Sequence, residues 1–212
     1  EIAVSRDMLL AKLTKAHIHI AHVSSEYSLK IIEMGKKEGI NITCEATPHH
    51  FSFSDDEILK NAYDTNFKMS PPLREISDVK AVREALKNGL IDVIATDHAP
   101  EHTDEKIVEF DKAPFGIIGL QTLVPLTLKL VNEGVISLER MVELTSTNAA
   151  KMLNLKDKGR LAEGMLADIA VIDPEIEYIY DEKINRSKSV NSPLFGKKLK
   201  GAATSTIKSG KI

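Results

Sequence analysis

Three short stretches of this sequence gather residue types that do chemistry: Asp97-His98 closing the run Asp92-Val93-Ile94-Ala95-Thr96, His22 closing His17-Ile18-His19-Ile20-Ala21, and His49-His50 after Thr47-Pro48. Imidazole nitrogen and carboxylate oxygen both bind zinc, so a metal site is the chemistry this set could support. Val93, Ile94 and Thr96 favour a strand and Pro100 cannot continue one, which places Asp97 and His98 at a strand's C-terminal tip. A turn-capping role is the competing reading of Asp97 from this stretch alone. His22 also ends a strand and shares a face with Ile18 and Ile20 by the period of two, so it is expected to point where Asp97 points. On neighbouring strands of a parallel barrel the two would meet at the C-terminal, active-site face, where one metal ion could join them. His17 and His19 have a spacing that suits zinc, but they lie at the opposite end of their strand and are expected to be buried or interfacial.

The elements that must position these side chains follow from periodicity and punctuation. Glu1 to Leu10 reads as helix without an evident cap or an initiating Met, which predicts a chain that begins in mid-structure. His17 to Val23 is the first strand, Ser24 and Ser25 cap a helix from about Glu26 to Lys37, and Asn41 to Ala46 is the second strand, broken by Thr47-Pro48-His49-His50. A short acidic helix from Ser54 and a loop over Lys68 to Arg74 follow. Val79, Val82 and Leu86 with Gly89 behind them make an amphipathic helix from Ser77 that feeds the strand ending at Asp97. Three β/α units in succession argue for an α/β fold with a parallel sheet. The polar stretch Glu101 to Lys106 reads as an active-site loop ending in Pro114 to Leu120, whose glycines permit close approach to a ligand. Helices are predicted over 120–131 and 137–153. From Lys158 the texture changes to turns and short strands, dividing the chain into residues 1–157 and a small β appendage, 158–212.

The 212 residues are 42% hydrophobic, enough for one sizeable core, and 28 basic against 31 acidic side chains give a net charge of −3. That balance has no polybasic footprint, so neither nucleic acid nor an anionic membrane is the expected partner, and a small molecule is. Cys44 is the only cysteine, which suits a reducing, cytoplasmic setting. No apolar run reaches the roughly 18 residues that span a bilayer, and no signal peptide opens the chain.

Taken together, Ala21-His22-Val23-Ser24-Ser25, Glu45-Ala46-Thr47-Pro48-His49-His50, Asp64 to Arg74, Ala95-Thr96-Asp97-His98-Ala99-Pro100 and Ala113 to Leu120 resemble the bacterial-type dihydroorotases of the amidohydrolase superfamily, in order along the whole chain. Several of these segments are shared with hydantoinases and allantoinases; Thr96 to Pro100 and Pro114-Phe115-Gly116 favour dihydroorotase. The resemblance implies the C-terminal part of a (β/α)8 TIM-type barrel, its last three β/α units lying within residues 1–157, followed by the β appendage. It implies a zinc centre of one or two ions that hydrolyses dihydroorotate reversibly to N-carbamoyl-L-aspartate in pyrimidine biosynthesis. His22 matches the zinc-ligand histidine of the sixth barrel strand. Asp97 matches the eighth-strand aspartate that binds metal, takes the proton of the attacking water and passes it to the leaving ring nitrogen. His49 and His50 match no ligand position and are read as supporting or packing residues.

Substrate positions carry over less directly. Ser70 stands where the family usually has a substrate-contacting asparagine, leaving its backbone to serve. Phe115 and Gly116 match a substrate-contacting segment, with an exposed Gly116 N–H as a donor. The family's carboxylate-binding histidine directly follows Ala-Pro; here Glu101 stands there, where its charge would repel the carboxylate, and a one-residue loop shift would bring His102 into the role. The family's first-strand His-x-His, its bridging lysine or aspartate and its fifth-strand histidine all precede the segment present, which predicts a fragment inactive by itself. A homodimer and a partnership with aspartate carbamoyltransferase stay open. The rival readings are a hydantoinase, dihydropyrimidinase or allantoinase and, from another class, a catalytically silent scaffold.

Overall fold

Three parallel strands, β1 (Ile18–Ile20), β2 (Ile42–Ala46) and β3 (Val93–Ile94), form the sheet that carries the site in the computed structural model, which describes residues 1–212. They lie in the order β1-β2-β3, with Ile20 opposite Cys44 and Glu45 opposite Val93. Parallel neighbours need long crossovers, and helices supply them. After α1 (Ile2–Thr14), helix α2 (Glu26–Lys37) links β1 to β2; its cap is Ser25, whose Oγ accepts from Ser28 N–H at 3.2 Å. The second crossover runs through α3 (Pro48–Ser52), α4 (Asp56–Lys60), a 3-10 turn (Thr65–Phe67) and α5 (Ile76–Asn88). Helix α5 buries Val79, Val82, Ala85 and Leu86 and stops at Gly89, as the apolar spacing requires. Behind the sheet, Ile32, Cys44, Phe51, Val82, Leu86 and Leu144 are buried in one continuous core.

Asp92 locks the base of β3. Its carboxylate accepts from Cys44 N–H at 2.8 Å and from Lys36 Nζ at 2.7 Å, tying β3 to β2 and to α2. Beyond β3 come α6 (Thr103–Lys106), α7 (Leu123–Asn132), and a helical run made of α8 (Leu138–Val142), a π-helical turn (Glu143–Thr147) and α9 (Asn148–Met152). The chain then forms an antiparallel pair, β4 (Ile169–Ile179) and β5 (Lys198–Ile207).

Several expectations are corrected. Thr47-Pro48 does not merely break a strand: Thr47 Oγ1 caps α3, with Pro48 in its first turn, a start signal for a helix. The polar loop contains α6, and the 137–153 helix is interrupted by the π turn. The short strands expected after Lys158 are instead one pair of 11 and 10 residues. Pro174 and Gly201 look like turn punctuation, yet Pro174 lies where the register shifts between Asp173 and Glu177, a bulge in which its missing N–H does no harm. Gly201 has φ +88°, and a Cβ there would meet Leu128 Cδ1 at 2.3 Å, so this glycine lets β5 close onto α7. No helix is long and apolar enough to cross a membrane.

Candidate active site at the strand tips

His22 lies just past β1 and Asp97 just past β3, both on the side where the strands end. Val23 N–H donates to Glu45 O at 2.9 Å and Ala95 N–H to Ala46 O at 3.1 Å, so both flanking strands stay paired to β2 up to His22 and Asp97. The period of two does not aim His22, contrary to expectation. Strand β1 stops at Ile20, and His22 takes φ +39°; Asp97 likewise has φ +48°. His and Asp are among the non-glycine residues that tolerate this left-handed region, and a sharp turn there redirects each side chain off its strand. His22 Nδ1 is buried without a hydrogen-bond partner.

Strand β2 adds a third residue through α3. His49 is 2% exposed, its Nε2 lies 3.9 Å from Asp97 Oδ2, and that nitrogen also has no hydrogen-bond partner. Burial, reinforced by the imidazoles of His50 and His22, holds its pKa well below the ordinary value, so the ring is neutral. The expected supporting or packing position of His49 is made specific here: it borders the Asp97 carboxylate. The signal that could have found it is the Thr47-Pro48 helix start, which fixes the direction of the next two side chains. His17 and His19 are bonded across to β2: both reach Thr43 Oγ1 at 2.9 Å, and His19 Nε2 lies 3.1 Å from Glu45 Oε2.

His50 is a packing residue with both nitrogens used, at 2.8 Å from Thr47 Oγ1 and 2.9 Å from Pro71 O. Burial, chiefly, lowers its pKa to about 4 from 6.5. The unfolded chain therefore binds a proton that the folded chain refuses, and stability present above about pH 6.5 is lost as pH falls from there towards 4. At roughly 1.4 kcal/mol per pH unit the loss from this one group approaches about 3 kcal/mol. The urea midpoint of the complete-barrel protein should drop between pH 7 and pH 5, and His50→Gln should flatten that drop. An equal drop in both proteins would remove His50 from the account.

The substrate wall expected around Phe115 and Gly116 needs a correction. Gly116 is buried, and its N–H donates to Lys68 O at 2.9 Å, so it is not free to bind a ligand. Its φ of +95° and the 2.6 Å that would separate a Cβ from Ala99 Cβ show what the glycine is for: it lets the segment lie against the loop after Asp97. Ala99 N–H donates to Ile117 O at 2.8 Å, and Gly119 N–H to His98 Nδ1 at 3.0 Å. Phe115 stays 54% exposed, with Lys68 Nζ 4.8 Å from its ring centre. Ser70 is exposed at the neighbouring loop. His102 has not shifted inward: its side chain is 73% exposed, and Nδ1 accepts from Asp104 N–H at 3.3 Å, capping α6. Glu101 is half-buried and sits close enough to Lys106 to favour the lysine's charge. Sequence reasoning missed Lys106, buried with Nζ donating to Thr65 O at 3.1 Å and Pro114 O at 2.9 Å.

The unpartnered His22 nitrogen and the Asp97 carboxylate fit two positions of a zinc site. No cluster of three or more His, Cys, Asp or Glu able to hold a metal exists in the chain.

Comparison with known proteins places the chain in a family. The amidohydrolase family model matches residues 7–212. The dihydroorotase of Geobacter metallireducens is 50% identical over all of this chain, which covers 49% of that protein, and that of Geotalea daltonii is 49% identical with the same coverage. Among solved structures, a D-hydantoinase superposes with a TM-score of 0.88 at 30% identity, and the dihydropyrimidinase of Brevibacillus agri NCHU1002 with 0.90 at 27%; each match covers 99% of this chain and 47% of the other. The chain thus spans about half the length of the relatives it matches, and its α/β fold is part of the TIM-type barrel with a β appendage.

Proposed function

The chain belongs to the amidohydrolase family, and we propose that it forms the His22 and Asp97 part of a zinc-dependent dihydroorotase, hydrolysing dihydroorotate reversibly to N-carbamoyl-L-aspartate in pyrimidine biosynthesis. The observation that carries this is the pairing of an imidazole and a carboxylate on left-handed turns at the ends of strands flanking β2, with the His22 nitrogen left unpartnered. His22 and Asp97 would hold the metal together with ligands from the remaining barrel strands. Zinc bound there would polarise the amide carbonyl and make water a better nucleophile at neutral pH. Asp97 takes the proton from that water as oxygen adds to the carbonyl carbon, and delivers it to the ring nitrogen as the C–N bond breaks. His49, neutral and 3.9 Å away, borders the carboxylate without adding a fixed positive charge that would compete with a cation. The loops at Ser70, at Glu101 and His102, and at Phe115 and Gly116 form the substrate side of the site. With His102 committed to α6, Phe115 and the backbone around it are the better candidates for contact. A single, buried Cys44 supports a cytoplasmic setting.

The hydantoinase reading is favoured by the solved structures, at 30% and 27% identity, and the dihydroorotase reading by curated relatives at 50% and 49%. Metal analysis and steady-state assays of the complete-barrel protein separate them. Dihydroorotate should be preferred over dihydrouracil, hydantoin and allantoin by at least about a hundredfold in kcat/KM, because a site built for a charged group rejects analogues that lack it. The reverse ranking would replace the substrate, and no turnover of any of the four would favour the silent scaffold.

A further inference from the structure

We propose that Asn191, which lies in the connection between β4 and β5, is a positioning residue that holds the two backbone walls beside Asp97 in register; this rests on the hydrolase reading above. Its side chain is 4% exposed. Nδ2 donates to Ala99 O at 2.9 Å and to Gly116 O at 3.2 Å, while Oδ1 accepts from Glu101 N–H at 3.3 Å. Its own carbonyl accepts from Ile118 N–H at 3.0 Å. One side chain thus bonds the loop that follows Asp97 and the segment that follows Phe115. The neighbours fix which way the amide faces, because only Nδ2 can satisfy two carbonyls and only Oδ1 can accept an N–H.

The amide is held from behind as well. Ser189 Oγ lies 2.7 Å from Asn191 Oδ1 and against the Glu101 carbonyl, and donates to one of them. Asn185 Nδ2 donates to Ser189 O at 2.8 Å, and Asn185 Oδ1 accepts from the OH of the fully buried Tyr180 at 3.3 Å. On its far side the same segment is anchored by Lys106 at Pro114 O and by Lys68 Nζ, 2.7 Å from Ala113 O. The two lysines belong to the barrel unit, whereas Asn191, with Ser189 behind it, reaches the segment from the β4–β5 connection. A residue acting in this way changes how well substrate is held more than how fast the bond breaks.

Asn191→Asp in the complete-barrel protein tests this, since it keeps the size and the acceptor but replaces both donated bonds by a carboxylate facing two carbonyls. We expect KM for dihydroorotate to rise about tenfold or more with kcat within about threefold, the signature of lost binding common to ground and transition states. Metal content should be unchanged, and amide hydrogen exchange should quicken over 99–101 and 113–118. Quicker exchange with KM unchanged would make Asn191 a brace of the fold only, and a fall in kcat at constant KM would place its influence on the chemistry; either overturns the proposal. Should the variant not accumulate as folded protein, Ser189→Ala carries the test, with a KM rise of about threefold expected and an unchanged KM overturning it. A wild-type protein that prefers another cyclic amide would sink the dihydroorotate reading at once, whereas the same KM ratio, measured on the preferred substrate, still decides the role of Asn191.

Discussion

Asp97→Asn lowers kcat by at least about a hundredfold in the complete-barrel protein while leaving its fold intact, the scale on which general acid–base catalysis contributes. Asn is nearly the size of Asp and tolerates the φ of +48° that this position demands, so the backbone turn after β3 survives. What disappears, on the proposed mechanism, is the proton acceptor and one negative charge that would face the metal. Asp97→Glu would be a poorer probe, since it adds a methylene and a less tolerant residue in a left-handed turn. Steady-state kinetics with dihydroorotate, beside metal content and a thermal melt, make the measurement. Turnover within about tenfold of wild type in a folded, metal-loaded variant would remove Asp97 from the proton path.

Residues 1–212 by themselves should show no dihydroorotate hydrolysis and only weak zinc binding. A catalytic zinc takes about three protein ligands plus water, and the chain contains no cluster of three candidate ligands. The isolated sheet also has edges at β1 and β3, while α1 leaves Ile2 88%, Leu9 61% and Leu13 79% exposed. Unpaired edges and apolar faces of this kind recruit other chains, so the 212-residue species should self-associate in size-exclusion chromatography. Equilibrium dialysis against zinc and an activity assay, on a sample whose mass is confirmed, test the rest. Stoichiometric tight zinc would promote His49 from neighbour to ligand, and measurable turnover would show that the inferred ligand set is wrong.

Local signals were enough to place His22 and Asp97: β-branched runs mark the strands, Ser25 marks the helix that follows the first, and Pro100 marks the end of the last. Their aim was not legible, because it depends on left-handed turns at two non-glycine residues, which no periodicity encodes. His49, read as a supporting or packing residue, borders Asp97 in a way the sequence did not spell out, for a related reason. Its approach to Asp97 is set by where a short helix begins, and the Thr47-Pro48 start was read as a break. The resemblance to a substrate-contacting segment implies a free Gly116 N–H, whereas its partner, the Lys68 carbonyl, lies far away in sequence. The stretch after Lys158 reads as turns and short strands, whereas β4 runs on through Pro174, which the fold accommodates in a bulge. Asn191 had no local signature at all. Its role exists only in the tertiary contact between the connection of the β4–β5 pair and the loop after β3.

That contact sets a timetable for synthesis. Ala99 and Asn191 are 92 residues apart, and at the roughly 5 to 20 residues per second of translation the loop beside Asp97 waits on the order of 5 to 20 seconds for its partner to be made. During that interval the strands and their helices can pair, but the carbonyls of Ala99 and Gly116 have only water to bond. The nascent chain thus carries the Asp97 carboxylate well before it can close the wall beside it.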